Sequence, residues 1–207
     1  MSEYKDYGFH NNENSHTHNY LLKPILNLIS TKNTPVLDLG CGNGSFANEL
    51  IKNDFDVYGT DASEQGIKLA NQINPDRFFI QDLSSDQLPV QLQRIPFKTI
   101  VSTEVIEHLY APRTFVSFAK KILLKNGGGE FIVSTPYHGY LKNLTIALTN
   151  KMDSHINPLW DGGHIKIWSR KTLTALLKEQ GFQVTHFKGC GRFPYLWKSM
   201  VIRATIA

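Results

Sequence analysis

The sequence predicts an α/β fold: a doubly wound, mostly parallel sheet of seven strands with an antiparallel last strand. Short apolar runs alternate with helical patterns from residue 36 to residue 134, as in successive β-α units. A turn with three glycines follows the first run and leads directly into a helical pattern. The last two predicted strands, 182–187 and 196–206, are joined by a loop without a helix, so they should pair antiparallel.

Size and composition predict a single domain. The chain has 207 residues, 41% of them hydrophobic, which suits one core. We expect one domain over 1–207, with a flexible N-terminal tail at 1–16 and an inserted lid or substrate segment at 135–168. There is no long apolar run, no signal-peptide core and only two cysteines, so a cytoplasmic location is expected. A net charge of +4 permits a nucleic-acid partner but does not favour one.

The glycine turn lies between a strand at 36–39 and a helix that begins near Ser45. Glycine is favoured where the backbone takes a positive φ or approaches a ligand closely. A dinucleotide-binding turn requires a third glycine where this chain has Ser45. The strand also carries Asp38, a poor neighbour for a pyrophosphate and a good one for a cation. A nicotinamide oxidoreductase is therefore disfavoured.

The stretch from Asp38 to Gly44 resembles motif I of the class I S-adenosylmethionine methyltransferases, which share a Rossmann-like fold. The resemblance implies that S-adenosylmethionine is the cofactor. It also implies that the glycine turn approaches the methionine part of the cofactor and that Asp38 helps to hold its ammonium group. The resemblance is clear over residues 36–134 and weaker beyond them.

Two later acidic residues also follow predicted strands. Asp61 ends the second strand, where a carboxylate can accept hydrogen bonds from the two ribose hydroxyls; its alternative role is an N-cap of the next helix. Asp82 follows the third strand, where the resemblance implies contact with the adenine edge; its alternative role is in a loop turn. The predicted cofactor-binding residues are Asp38, Gly40, Cys41, Gly42, Asp61, Ala62, Asp82, Leu83 and Thr103.

A second informative stretch, Glu104 to Leu109, follows the fourth strand. Glu104, Glu107 and His108 have the spacing i, i+3 and i+4, so one helical turn would present them together. Two carboxylates and an imidazole suit Mg²⁺, Mn²⁺, Fe²⁺ or Zn²⁺, and His164 is a candidate fourth ligand. A hydroxyl bound to such an ion would lose its proton more readily.

A metal-free site is the alternative for these residues. Glu107 and His108 would then cap a turn or bond to the backbone, and His108 or His138 would be the candidate general base. The predicted catalytic residues are accordingly Glu104, His108 and His138.

Glu104 to Leu109 resembles two subgroups that share a Glu-x-x-Glu-His motif: the ubiquinone-biosynthesis O-methyltransferases, which are the nearer one, and the small-RNA 3′-end 2′-O-methyltransferases. The first implies methylation of a hydroxyl on a small aromatic or lipid-like molecule, either with or without metal assistance. An RNA 2′-O-methyltransferase and a non-catalytic protein that binds S-adenosylmethionine remain alternatives.

An apolar stretch at 140–148 predicts an inserted helix above the cofactor cleft. We expect this helix to pack on the core as a lid. Peripheral contact with a membrane is the alternative, because the apolar residues spread over more than one face. The pattern leaves both a monomer and a dimer open.

Overall fold

A computed structural model describes residues 8–13 and 15–207. Its sheet has seven strands in the order β3-β2-β1-β4-β5-β7-β6. The strands are β1 (Val36–Leu39), β2 (Val57–Asp61), β3 (Phe78–Ile80), β4 (Thr99–Thr103), β5 (Gly129–Pro136), β6 (Gln183–Cys190) and β7 (Ser199–Ile206). β7 is antiparallel to both of its neighbours, and the other pairs are parallel. The predicted fold class, including the antiparallel last strand, is confirmed.

The helices cover both faces of the sheet. They are α1 (His18–Leu28), α2 (Ser45–Lys52), α3 (Glu64–Ile73), α4 (Pro112–Lys125), α5 (Tyr140–Leu148), α6 (Met152–His155) and α7 (Arg170–Glu179), with a short 3₁₀ turn at Ile106–His108. α1, α2 and α3 pack on one face, and α4 and α7 on the other. Within the portion described, no helix combines the length and apolar character needed to cross a membrane.

Successive residues of one strand pack into the hydrophobic cores on opposite faces of the sheet. In β1, Val36 packs with α1 and α2, whereas Leu37 packs with α4 and α7, and all four β1 residues are buried. A strand covered on both faces needs apolar residues on both sides, which explains the continuous apolar runs in the sequence. Asp38 is the exception within β1, and its burial needs a separate explanation.

The segment between β5 and α7 contains α5 at the predicted position. The helix, however, does not bury the face that its apolar residues predicted. Only Lys142 and Ile146 of α5 are buried. The expected packing of its apolar residues on the core is therefore wrong for the five that remain exposed: Tyr140, Leu141, Leu144, Ala147 and Leu148.

Candidate active site

The candidate site lies at the carboxyl edge of the parallel strands. The strand order reverses between β1 and β4, and open α/β sheets bind ligands in the crevice at such a switch point. The antiparallel β7 begins at the same edge, so Ser199 joins the ends of β4 and β5. The predicted residues that lie at or just after the ends of β1, β2, β3 and β4 are therefore found along the same edge of the sheet.

The glycine turn has no room for side chains. Gly40, Gly42 and Gly44 have φ angles of 84°, 55° and 70°, all in the left-handed region. A Cβ on Gly40 would collide with the Val105 side chain, and one on Gly42 would lie 2.6 Å from the Phe9 ring. The turn is thus close-packed between two neighbours, and glycine is required at both positions.

Part of the predicted tail contacts this turn. The Phe9 ring lies against Gly42 and Gly66, and the Asn43 amide donates to the carbonyls of Asn11 (2.9 Å) and Glu13 (3.2 Å). Residues 1–7 and 14 lie outside the described residues. The predicted flexibility of the tail stays a prediction.

Asp38 carries a buried carboxyl group within β1. The residue is fully buried, and neither side-chain oxygen has a hydrogen-bond partner in the portion of the chain that the structure covers. Burial, together with the charge of Asp61, raises the pKa of Asp38 to about 8. A ligand ammonium group at this point would satisfy both oxygens, which fits the role that the resemblance implies.

Asp61 connects the glycine turn to α3. Its carboxylate accepts from the backbone N–H of Gly42 and from that of Ser63, both at 2.8 Å. The alternative role of Asp61 as the helix cap is wrong, because the Ser63 hydroxyl caps α3 by accepting from Gly66 N–H at 2.9 Å. Asp61 is thus fixed by backbone groups at the end of β2, and its contact with a ribose stays a prediction.

The remaining predicted cofactor residues differ in exposure. Asp82 is exposed and accepts from Ser84 N–H at 2.8 Å, which is the loop-turn role named as its alternative. Leu83 is half-buried against the core, Ala62 and Thr103 are half-buried at strand ends, and Cys41 is buried. Their contacts with a cofactor remain predictions.

Glu104 lies apart from the other proposed metal ligands. Its φ of 54° places it in the left-handed region, before the 3₁₀ turn that carries Glu107 and His108. One helical turn therefore does not present all three residues, and that expectation is wrong. The Glu104 carboxylate instead accepts from the hydroxyls of Ser134 (2.7 Å) and Ser199 (3.0 Å).

Glu107, His108 and His164 converge. One ligand atom from each lies within 4.8 Å of the others. The Thr135 hydroxyl donates to Glu107 Oε2 at 2.9 Å, whereas the buried Oε1 has no partner in the described part. The loop of His164 is held in place because the N–H groups of Ile165 and Lys166 both donate to the Glu107 carbonyl at 2.9 Å.

The two imidazoles of this cluster have the protonation state that binding of a metal ion requires. Burial lowers the pKa of His164 to about 4 and lowers that of His108, so both rings are neutral at neutral pH. His108 Nδ1 lies 2.8 Å from the Gly162 carbonyl, so Nδ1 carries the proton and Nε2 keeps its lone pair. This Nε2 lies 4.0 Å from Glu107 Oε1. Burial and the charge of Glu104 raise the pKa of Glu107.

Comparison with known proteins decides the family. A family model described as a methyltransferase domain matches residues 13–187. The chain belongs to the class I S-adenosylmethionine methyltransferases. An uncharacterized methyltransferase of Geobacillus sp. is 29% identical over 163 residues, which cover 78% of this chain and 76% of that protein.

Two further matches bear on subgroup and fold. A ubiquinone biosynthesis O-methyltransferase of Caulobacter sp. is 31% identical over 118 residues, 54% of this methyltransferase but only 44% of that protein. This chain therefore covers under half the length of that relative. The crystal structure of a methyltransferase from Aquifex aeolicus shares the fold, with a TM-score of 0.63 and 15% identity over 89% of this chain and 88% of that one.

His138 lies in the same cleft but outside the Glu107 cluster. Its ring Nδ1 is 3.0 Å from Asn143 Oδ1, and its backbone N–H donates to the Trp168 carbonyl at 2.9 Å. Burial lowers the pKa of His138, so the ring is neutral and able to accept a proton. Its role as a general base in this methyltransferase stays a prediction.

Sequence reasoning missed Ser134, Ser199 and Lys142. The two serines hold the Glu104 carboxylate, and Lys142 is the buried charged residue of α5. Only Lys142 had a usable signal, because it is a single cation within an apolar stretch.

Proposed function

We propose that this methyltransferase transfers the methyl group of S-adenosylmethionine to a hydroxyl of a small aromatic or lipid-like molecule, assisted by a divalent metal. The observation that carries the proposal is the buried Glu107 Oε1, which has no partner in the described residues and faces His108. A buried carboxylate oxygen without a partner is costly, and a cation would satisfy it.

The donor set supports a metal of the Mn²⁺, Fe²⁺ or Zn²⁺ type. Two neutral imidazoles and one carboxylate suit these ions, whereas Mg²⁺ prefers a shell of oxygens. Glu107, His108 and His164 would hold the ion. A bound ion supplies Lewis acidity that lowers the pKa of an acceptor hydroxyl.

The protein's own residues have orienting tasks. Thr135 fixes the Glu107 carboxylate, and Gly162 fixes the tautomer of His108. The Trp160 ring packs on both His108 and His164, with centroid distances of 5.7 and 5.5 Å, and so shields the cluster from water. Because the sulfonium is already activated, alignment of nucleophile, methyl carbon and sulfur is the main requirement.

Exposed apolar residues near the site support an apolar acceptor. Tyr110, two residues after His108, and Leu159, next to Trp160, are 85% and 90% exposed, and the Trp160 ring lies beside the two histidines. The local match to ubiquinone biosynthesis O-methyltransferases supports the same class. We further propose that residues 140–148 contact a membrane peripherally, which would bring a lipid-like acceptor to the cleft.

A metal titration of the protein saturated with S-adenosylhomocysteine tests the proposal. A metal at about 100 times its Kd adds about 2.7 kcal/mol of stability, and therefore about 5–10 °C in Tm for a domain of this size. We expect this shift with Mn²⁺, Fe²⁺ or Zn²⁺ in the native protein. His164→Ala should abolish the shift. His186→Ala, which removes an exposed imidazole on β6, should retain it.

Activity assays complete the test. We expect methylation of catechols or quinols that stops in a chelator and is restored by the added metal. Equal rates with and without chelator would contradict metal assistance. Methylation of RNA 3′ ends in place of small hydroxyl compounds would contradict the acceptor class. Cofactor binding without methylation of any acceptor would indicate a non-catalytic protein.

A further inference from the structure

The N-terminal segment, residues 8–13, packs on the glycine turn through the ring of Phe9. A Cβ on Gly42 would lie 2.6 Å from this ring, and a Cβ on Gly66, in the first turn of α3, would lie 3.1 Å from it. Phe9 is half-buried, whereas Gly8 and His10 on either side of it are exposed. Because both surfaces under the ring are glycines, the ring lies directly against the backbone of the turn and of the helix.

The side chain of Asn43 is a second link between this segment and the turn. Its Nδ2 donates to the carbonyls of Asn11 (2.9 Å) and Glu13 (3.2 Å), and its Oδ1 accepts from the Ser45 N–H at 3.2 Å. Asn43 is 7% exposed, and a buried amide needs such partners. A side chain in the middle of the glycine turn therefore binds the N-terminal segment on one side and the start of α2 on the other.

Both links act on the residues that hold Asp61. The Asp61 carboxylate accepts from the N–H groups of Gly42 and Ser63, and so joins the glycine turn to the start of α3. The turn and the helix are in close contact here, because a Cβ on Gly66 would lie 2.7 Å from the Gly42 carbonyl oxygen. Phe9 covers this junction. Its ring limits how far the turn and the helix can separate, and thus helps to keep both N–H groups on the Asp61 carboxylate.

The N-terminal segment is attached by few contacts. Of its six residues, only Phe9 and Asn12 are not exposed. Segments with so little buried surface open locally at low cost in free energy, so their docking responds to a ligand bound next to them. The family model matches from residue 13 onward, so it does not account for the part of the segment that carries Phe9.

We infer that residues 8–13 are part of the cofactor site, with Phe9 and Asn43 as positioning residues that hold the glycine turn against α3 and so tighten the binding of S-adenosylmethionine. The inference uses the predicted place of the cofactor at the glycine turn, and it is independent of the acceptor and of the metal. A cofactor that binds more tightly to the docked form must stabilise docking by the same factor. The coupling is therefore measurable in both directions.

Calorimetry with S-adenosylhomocysteine measures the first direction. Phe9→Ala should weaken binding by about 5–20-fold, the lower part of the range that is typical of coupled sites. Phe9→Leu keeps an apolar side chain at the junction and should recover most of the affinity. His10→Ala, at an exposed neighbour in the same segment, is the control and should bind as the native protein does. Unchanged affinity in Phe9→Ala would overturn the inference, and so would tighter binding, which would mean that the ring competes with the cofactor.

Asn43→Asp separates the segment from the turn. An aspartate keeps an oxygen for the Ser45 N–H but has no donor for the carbonyls of Asn11 and Glu13. We expect a loss of affinity similar to that of Phe9→Ala. Asn11→Asp introduces the same charge nearby, yet it leaves both carbonyls bonded to Asn43, so its affinity should not change. Equal losses in the two variants would show an effect of charge and would overturn the role of Asn43.

Hydrogen exchange measures the second direction. Saturating S-adenosylhomocysteine should slow amide exchange over residues 8–13 by up to the same 5–20-fold, because the coupling is reciprocal. In Phe9→Ala this protection should disappear, while that of residues 57–61 should persist. Exchange over residues 8–13 that is equally fast with and without the ligand in the native protein would overturn the inference. Failure to methylate, or to respond to a metal, would bear on the proposed function alone, because these measurements use neither an acceptor nor a metal.

Discussion

The two sides of the cleft are built in different ways. The cofactor side predicted from the sequence consists of strand ends and a glycine turn, and its Asp61 carboxylate is fixed by the backbone N–H groups of Gly42 and Ser63. The proposed acceptor side joins the 3₁₀ turn to a segment more than 50 residues later through contacts such as Ile165 to Glu107. Local geometry thus makes the cofactor side, whereas tertiary contacts make the acceptor side.

The largest expected effect tests whether the cofactor side depends on its carboxylates. Asp61→Ala removes the acceptor for Gly42 and Ser63 and for the ribose hydroxyls. Loss of charge-assisted bonds worth about 1.5–3 kcal/mol each should weaken S-adenosylhomocysteine binding by 100-fold or more. Isothermal titration calorimetry measures this. Asp56→Ala, at an exposed ion pair with Arg77, is the control. Unchanged affinity in Asp61→Ala would contradict the ribose assignment.

An intermediate effect concerns the pH dependence of cofactor binding. The raised pKa of Asp38, about 8, keeps its carboxyl protonated in the free protein below that pH. The cofactor ammonium favours the carboxylate, so binding releases a proton, and affinity for S-adenosylhomocysteine should rise up to about tenfold per unit from pH 5 to pH 8. Over the same range the ligand-free protein should lose stability, because the folded-state pKa lies above the unfolded one.

Calorimetry in two buffers with different ionisation enthalpies counts the released proton. Asp38→Asn should show no release from this site and a flat pH profile. Proton release of the same size in Asp38→Asn would assign the proton to another group.

The smallest expected effect tests whether the two sides are independent. Ile146 is 5% exposed and is the buried apolar residue of α5. Ile146→Ala should lower the free energy of unfolding by about 2 kcal/mol. S-adenosylhomocysteine affinity, measured well below the Tm, should change less than twofold. Leu144→Ala, on the exposed face, should change stability by less than about 0.5 kcal/mol. A large loss of cofactor affinity in Ile146→Ala would show that the sides are coupled.

The same contrast explains what the sequence could predict. Asp38, the glycines and Asp61 lie within one strand-turn-helix-strand unit, so local patterns were sufficient to predict their arrangement. The position of Glu104 was mispredicted because a left-handed residue after β4 interrupts the assumed helical spacing. Lys142 was missed because its apolar neighbours were predicted to form the buried face, whereas the helix is rotated so that the lysine is buried and most of those neighbours are exposed.

The packing around Gly42 has a consequence for experiments on the glycine turn. The Phe9 ring fills the space into which any side chain at position 42 would grow. Such a substitution would displace the Phe9 ring even in the ligand-free protein. Weaker cofactor binding would then combine two effects, the displacement of Phe9 and the change in the turn itself. Cleavage of the ligand-free variant by a protease near residue 9 would report the displacement of Phe9 alone.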